Sequence, residues 1–182
     1  YLMPKPFIVL ATQNPIENEG TYPLPEAQLD RFLFKLNVRF PSKEELKEIV
    51  NLTVNQQETV TAPVMTAADI LKIRQTIYDM PIADAVMDYA MNLVYNTHPE
   101  MKDVPDITKK YVLNGASPRA AQAIIKTAKA RALMENRFNV SFEDIQYVAF
   151  PVLRHRMICN FEALSDNVTP DKIIAQLIQV QV

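Results

Sequence analysis

Glycine is nearly missing from this chain, with two in 182 residues, against a usual share of about 7%. A loop that wraps phosphate groups needs several glycines close together, because only a residue without a Cβ lets backbone amides close in on the anion. Gly20 and Gly115 stand far apart, so the sequence holds neither a P-loop nor a dinucleotide-binding fingerprint. The single cysteine, Cys159, excludes an internal disulfide and a cysteine metal cluster. No apolar run nears the roughly 18 residues of a membrane span. The opening YLMPKPFIVLATQNP puts no charged segment before a long apolar one and does not read as a signal peptide. An excess of one charge is lacking too. Lys and Arg total 19 against 21 Asp and Glu, a net charge of −2, which gives no general attraction to nucleic acid or acidic membranes. A soluble, cytoplasmic protein is expected, with the Asn-X-Ser/Thr triplets at Asn51, Asn139 and Asn167 present by chance.

What is present is apolar patterning. Hydrophobic residues make up 48% of the chain and charged residues 22%, enough to build one or two cores. Phe7 to Ala11 is an unbroken apolar run, the pattern of a strand covered on both faces in a parallel sheet. Phe32 to Val38 reads as a second strand, and Pro25 to Asp30 between them as a short helix with proline in its first turn. Such a unit cannot stand alone, since a two-stranded parallel pair has open edges and almost no core.

From Pro41 onward the pattern is helical. Ser42-Lys43-Glu44-Glu45 is a capping box followed by Leu46, Ile49 and Val50 at helical spacing. Residues 55–65 read as a connector, and Thr66 to Asp69 as the cap of a helix reaching about Tyr78. Pro81 precedes a helix with Ile82, Val86, Tyr89 and Leu93 on one face. A short helix is expected near 107–113, stopped by Asn114-Gly115. Ser117-Pro118 starts the longest helix, to about Glu135. Ser141 caps another, running to about His155 through Pro151, and Thr169-Pro170 opens the last. The expected architecture is mainly α: residues 1–40 form a small α/β remnant of two parallel strands and a short helix, and residues 41–182 a helical bundle.

Three positions carry candidate chemistry. Asn14 follows the end of the first expected strand, where open parallel sheets bind ligands. Pro15 holds its backbone extended, and its amide can both donate and accept, a suitable device for positioning a water or a phosphate oxygen. The same Asn-Pro also reads as an ordinary loop start. Arg31 ends the short helix and could reach a phosphate on a neighbouring chain, although a cation is favourable at any helix C-terminus. Arg119 is the second residue of the long helix, where its charge opposes the helix dipole. A residue that breaks a local rule on a rigid Ser-Pro mount is a candidate site. The loop acids Glu17, Glu19 and Glu26 have no nucleophile to serve, and His98 and His155 have no second metal ligand at useful spacing. The basic residues from Arg119 to Arg137 read as a solvated face, with nucleic-acid contact as the less favoured alternative.

Four segments then fit one pattern, in one order: Ala11-Thr12-Gln13-Asn14-Pro15-Ile16-Glu17, Glu19 to Phe32, Gly115-Ala116-Ser117-Pro118-Arg119-Ala120, and Val152-Leu153-Arg154-His155-Arg156. Together they closely resemble the MoxR family of AAA+ ATPases, with a likeness from about residue 6 to the end. The resemblance implies that Asn14 is sensor 1, orienting the hydrolytic water, and that Arg31 is the arginine finger offered to a neighbouring subunit's ATP. It implies that Arg119 is sensor 2, touching the phosphates of its own or a neighbour's nucleotide. The helices after Pro41 would be the lid. Members form rings, often hexameric, and remodel other proteins in a chaperone-like way, commonly beside von Willebrand factor A domain proteins. The family's Walker A and Walker B segments do not occur here. The chain is therefore expected to be the C-terminal part of an ATPase that uses ATP and Mg2+, binding neither alone and inactive alone. Two other classes stay open: a non-catalytic helical interaction module, and a DNA-binding helical domain.

Overall fold

In a computed structural model, the structure describes residues 3–13, 24–54 and 62–181. The protein is mainly α. In chain order the elements are α1 (Glu26–Leu29), α2 (Lys43–Val54), α3 (Ala67–Asp79), α4 (Asp84–Tyr95), α5 (Asp106–Tyr111), β1 (Val112–Asn114), α6 (Pro118–Met134), α7 (Phe142–Leu153), β2 (Ile158–Cys159), α8 (Phe161–Ser165) and α9 (Pro170–Val180). No helix among the described residues is long and apolar enough to cross a membrane.

The core lies where α6 and α7 cross and where α4 and α9 close on them. Ala120, Ile124, Ala128 and Ala132 recur every fourth residue on α6, and all are fully buried. Three methyl groups and one larger side chain form a shallow ridge that lets α7 approach closely. Ile145, Val152 and Leu153 of α7 fill that face, with Leu93 of α4 and Ile173, Ile174 and Leu177 of α9 beneath. Each fully buried Leu or Ile contributes about 1.5–3 kcal/mol. The methionines, which read as core from their apolar helical positions, divide instead: Met80 and Met157 are buried, while Met134 at the end of α6 is exposed.

Local chemistry starts and stops these helices with almost no glycine. Ser42 and Glu45 exchange hydrogen bonds at the start of α2, and Thr66 and Asp69 do so at α3. Thr169 caps α9 through the Lys172 amide. At the other ends, Asn136 (φ 56°) and Asn167 (φ 53°) take the left-handed conformation that glycine usually supplies. After α6 the Asn136 amide donates to the Leu133 carbonyl and the Arg137 amide to that of Ala132. After α8 the same pair of bonds runs from Asn167 to Leu164 and from Val168 to Ala163. Both are Schellman closures built on asparagine, one of the few residues besides glycine that adopt this backbone at low cost.

The first forty residues differ from expectation. Among the described residues, neither Phe7–Ala11 nor Phe32–Val38 lies in a strand, and the one sheet pairs β1 with β2, antiparallel. A strand exists only where its backbone groups pair with a neighbouring strand. Here the carbonyls of Phe32, Leu33 and Lys35 accept from side chains, and the Lys35 amide donates to the Pro151 carbonyl. Ile8 and Leu10 stand exposed. The helix expected at 107–113 stops at Tyr111, and Val112–Asn114 is strand β1 instead. Its partner β2 and the short helix α8 gave no periodic signal, being only two and five residues long.

Candidate functional site

One carboxylate gathers the candidate residues. Asp30 is the C-cap of α1: its amide still makes the helical bond to the Glu26 carbonyl, and the Arg31 and Phe32 amides then turn back onto the carbonyls of Gln28 and Leu29. Its two carboxylate oxygens each accept from the Ser117 hydroxyl at 2.9 Å. Oδ2 also accepts from Nη1 of Arg119 at 2.8 Å, and Oδ1 lies 3.3 Å from Nε of Arg156. Two guanidinium groups and a hydroxyl, from the start of α6 and the segment after α7, thus converge on the residue directly before Arg31.

The two arginines are unlike. The Arg156 side chain is 2% exposed, while that of Arg119 is 61% exposed. Arg156 also donates to the carbonyls of Asp30, Phe32, Leu33 and Val152. Burial pushes the Asp30 carboxyl upward. Hydrogen bonds from Arg119 and Ser117, with the charges of both arginines, outweigh this and hold it below the usual carboxylate range. Burial pulls the Arg156 guanidinium down, against the pull of Asp30, but an arginine stays charged through any such shift.

Leu153-Arg154-His155-Arg156 has a legible task here. Arg154 forks onto Asp171 at the start of α9, 3.0 Å and 3.1 Å, and its other nitrogen donates to the Lys35 carbonyl at 3.1 Å. His155 Nε2–H donates to the Phe32 carbonyl at 3.0 Å. With the Lys35 amide on Pro151, these groups fix the main chain from Asp30 to Lys35 against the helical bundle. The Arg31 loop is therefore tied to the helical bundle through α7 and α9.

Of the residues singled out by sequence, Arg31 is exposed at the turn after α1, and Arg119 is the second residue of α6, its amide bonded to the Ser117 hydroxyl at 3.3 Å. Asp30 brings their two segments together. Asn14, Glu17 and Glu19 lie outside the described residues, and Glu26 is exposed in the first turn of α1. The basic face of α6 is largely paired. Arg131 and Arg137 both bind the buried Asp144, and Lys129 donates to the Tyr78 carbonyl. His98 packs on Gly115, its ring nitrogens 2.9 Å from Glu100 and 3.0 Å from the Ala116 carbonyl. Among the described residues no three His, Cys, Asp or Glu side chains could hold a metal ion.

Sequence reasoning missed Asp30 and Arg156. The available signal was Arg119 itself: a cation at a helix N-terminus needs an anion nearby, and Asp30 supplies it.

Residues 1–34 match the model of ATPases associated with various cellular activities, and residues 105–177 match that of the AAA lid domain. The chaperone MoxR1 of Mycobacterium tuberculosis is 42% identical over 97% of this chain and 47% of its own length. An uncharacterized protein of Bacillus subtilis, YeaC, is 37% identical over 94% of the chain and 51% of its own length. A crystal structure described as a candidate ATPase of Cytophaga hutchinsonii superposes with a TM-score of 0.89 at 37% identity, over 98% of this chain and 55% of that one. The chain spans about half the length of the relatives it matches.

Proposed function

The chain belongs to the MoxR-like AAA+ proteins, and from that premise we propose that residues 1–182 form the subunit-interface half of an ATP-hydrolysing site. Residues 1–40 complete an α/β core, and residues 41–182 are its lid. Asn14 positions the attacking water, Arg31 neutralises charge on a neighbouring subunit's phosphates, and Arg119 contacts phosphate from the lid. The observation that carries this reading is the Asp30 bridge, which joins the Arg31 loop to Arg119. Two guanidinium groups so linked can answer to the same phosphate chain, and planar arginine forks match phosphate geometry.

The residues present suit the phosphates of ATP and not its magnesium. Ser117 and Arg119 already hold a carboxylate, an oxyanion of similar demand. No acidic cluster for a divalent ion occurs among the described residues; on the family reading, metal ligands and phosphate loop are supplied by Walker segments. Coupling of hydrolysis to chaperone-like remodelling, a ring of identical subunits, often hexameric, and von Willebrand factor A domain partners follow from the same reading.

The test is turnover in a polypeptide that joins Walker A and Walker B segments to this chain. Arg31→Ala should lower kcat by about 10³-fold or more while nucleotide Kd holds. Unchanged kcat would reduce Arg31 to a helix-end charge. Residues 1–182 alone should not turn over ATP.

A further inference from the structure

We propose that Asp30 is a competing anion for Arg119, so that a triphosphate must compete with the Asp30 carboxylate for the Arg119 guanidinium. This rests on the reading of Arg119 as a phosphate-contacting residue.

The Asp30 carboxylate sits at the start of α6, bonded to the hydroxyl of Ser117 and the guanidinium of Arg119. An anion in that place is favoured by the helix dipole as well as by the arginine. It takes one Nη1–H of Arg119 and answers the charge that would otherwise draw a phosphate, while the other N–H groups of this exposed guanidinium stay open. The charge of Arg119 is therefore already balanced from within the chain.

Two of its partners hold Asp30 and one can leave. Arg156 is buried and tied to four carbonyl oxygens as well as to Asp30, so it cannot follow an incoming ligand. Ser117 is the cap residue of α6 and is fixed by the helix. Arg119 is mostly in solvent and makes one bond to the carboxylate. When Arg119 swings to a phosphate, Asp30 keeps the Arg156 charge and the Ser117 hydroxyl, and no buried charge is left without a partner. The bond broken is the exposed one, which is the weakest kind of ion pair. The pair thus acts as a latch of modest strength.

The experiment uses residues 1–182, inorganic tripolyphosphate at low salt, and 15N NMR of arginine Nε–H groups. In the wild type, tripolyphosphate should shift the Arg119 signal and leave that of Arg156 in place. Asp30→Asn keeps an acceptor for Ser117 and removes the charge. It should bind tripolyphosphate about two- to fivefold more tightly, the size expected for loss of one exposed ion pair, and Arg119→Ala added to it should abolish the gain. Equal affinity in Asp30→Asn, or a gain that survives Arg119→Ala, overturns the latch. If Asp30→Asn does not fold, the wild-type titration decides: joint movement of the Arg119 and Arg156 signals overturns it. None of these readings needs turnover. A latch with no ATPase activity in the Walker-joined polypeptide would sink the catalytic reading alone.

Discussion

The Arg119 guanidinium donates to the Asp30 carboxylate across 2.8 Å while 61% of its side chain remains in solvent. On the opposite side of the same carboxylate Arg156 is 2% exposed. Removing Arg119 and removing Asp30 should therefore have unequal effects on folding. Arg119→Ala should cost less than about 1 kcal/mol, because the pair it breaks is largely hydrated. Asp30→Ala leaves Arg156 buried without its anion and should cost about 2–4 kcal/mol. Urea denaturation of the two variants measures the difference, and equal losses would show that Arg156 does not depend on Asp30.

Acid should unfold the protein in two stages. Burial raises the Asp144 carboxyl, but Arg137, the Ser141 amide and Arg131 together hold it well below its ordinary value of 3.8. Asp30 lies lower than usual by the same balance. As pH falls the unfolded chain takes up these protons first, so their contribution is complete above about pH 5 and declines progressively below about pH 4, toward the lowered folded-state values. His155 has the same sign at higher pH. Burial holds it below its ordinary value of 6.5, against the pull of the Phe32 carbonyl. Its neutral form is favoured in the fold, so stability starts to decline as pH drops below about 6.5. Thermal melts from pH 8 to 3 should show a shallow loss followed by a steep one. His155→Gln should remove the first and Asp144→Asn most of the second.

Gly115 is required by space and not by backbone angle. A Cβ there would lie 2.6 Å from Cγ and 2.7 Å from Nδ1 of His98. The ring cannot give way easily, because Glu100 and the Ala116 carbonyl hold both nitrogens. Gly115→Ala should cost about 1–3 kcal/mol. In a His98→Ala background the same change should be close to neutral, which a double-mutant cycle reads directly.

The asparagines at φ 56° and 53° should be improvable. Asn136→Gly and Asn167→Gly should each stabilise by a few tenths of a kcal/mol up to about 1, since the left-handed conformation is without strain for glycine. The corresponding alanine variants should lose about 1 kcal/mol. A fall in stability on glycine substitution would mean that the asparagine side chains do more than permit the turn.

The helical part was legible because its rules are local. Caps at Ser42, Thr66, Ser117 and Thr169 sit within three residues of what they bind, and α6 repeats its buried face every four residues. The two expected strands were not, because an apolar run, continuous at Phe7–Ala11 or alternating at Phe32–Val38, does not say what backbone lies beside it. Phe32 to Lys35 gives its carbonyls to side chains more than 100 residues away. Asp30 was hidden for the same reason: Ser117 is 87 residues distant and Arg119 is 89. Only the misplaced charge of Arg119 pointed toward an anion, and nothing local named which one.

Arg156→Lys isolates what a planar fork does in the joint between loop and lid. Lysine keeps the charge that faces Asp30. Its three donors radiate from one atom and cannot span the carbonyls of Asp30, Phe32, Leu33 and Val152 that the guanidinium reaches. The fold should lose about 1–3 kcal/mol. More specifically, the amide of Lys35, bonded to the Pro151 carbonyl at 2.9 Å, should exchange with solvent faster than amides in the middle of α6. Arg154 still pins the Lys35 carbonyl and Asp171, so loosening should be greatest between Asp30 and Leu33, next to Arg31. On the proposal that Arg31 serves a neighbouring subunit's phosphates, the Walker-joined polypeptide should then show a lower kcat with nucleotide Kd unchanged. Unaltered exchange at Lys35 would mean that Arg154 and His155 suffice to hold the loop.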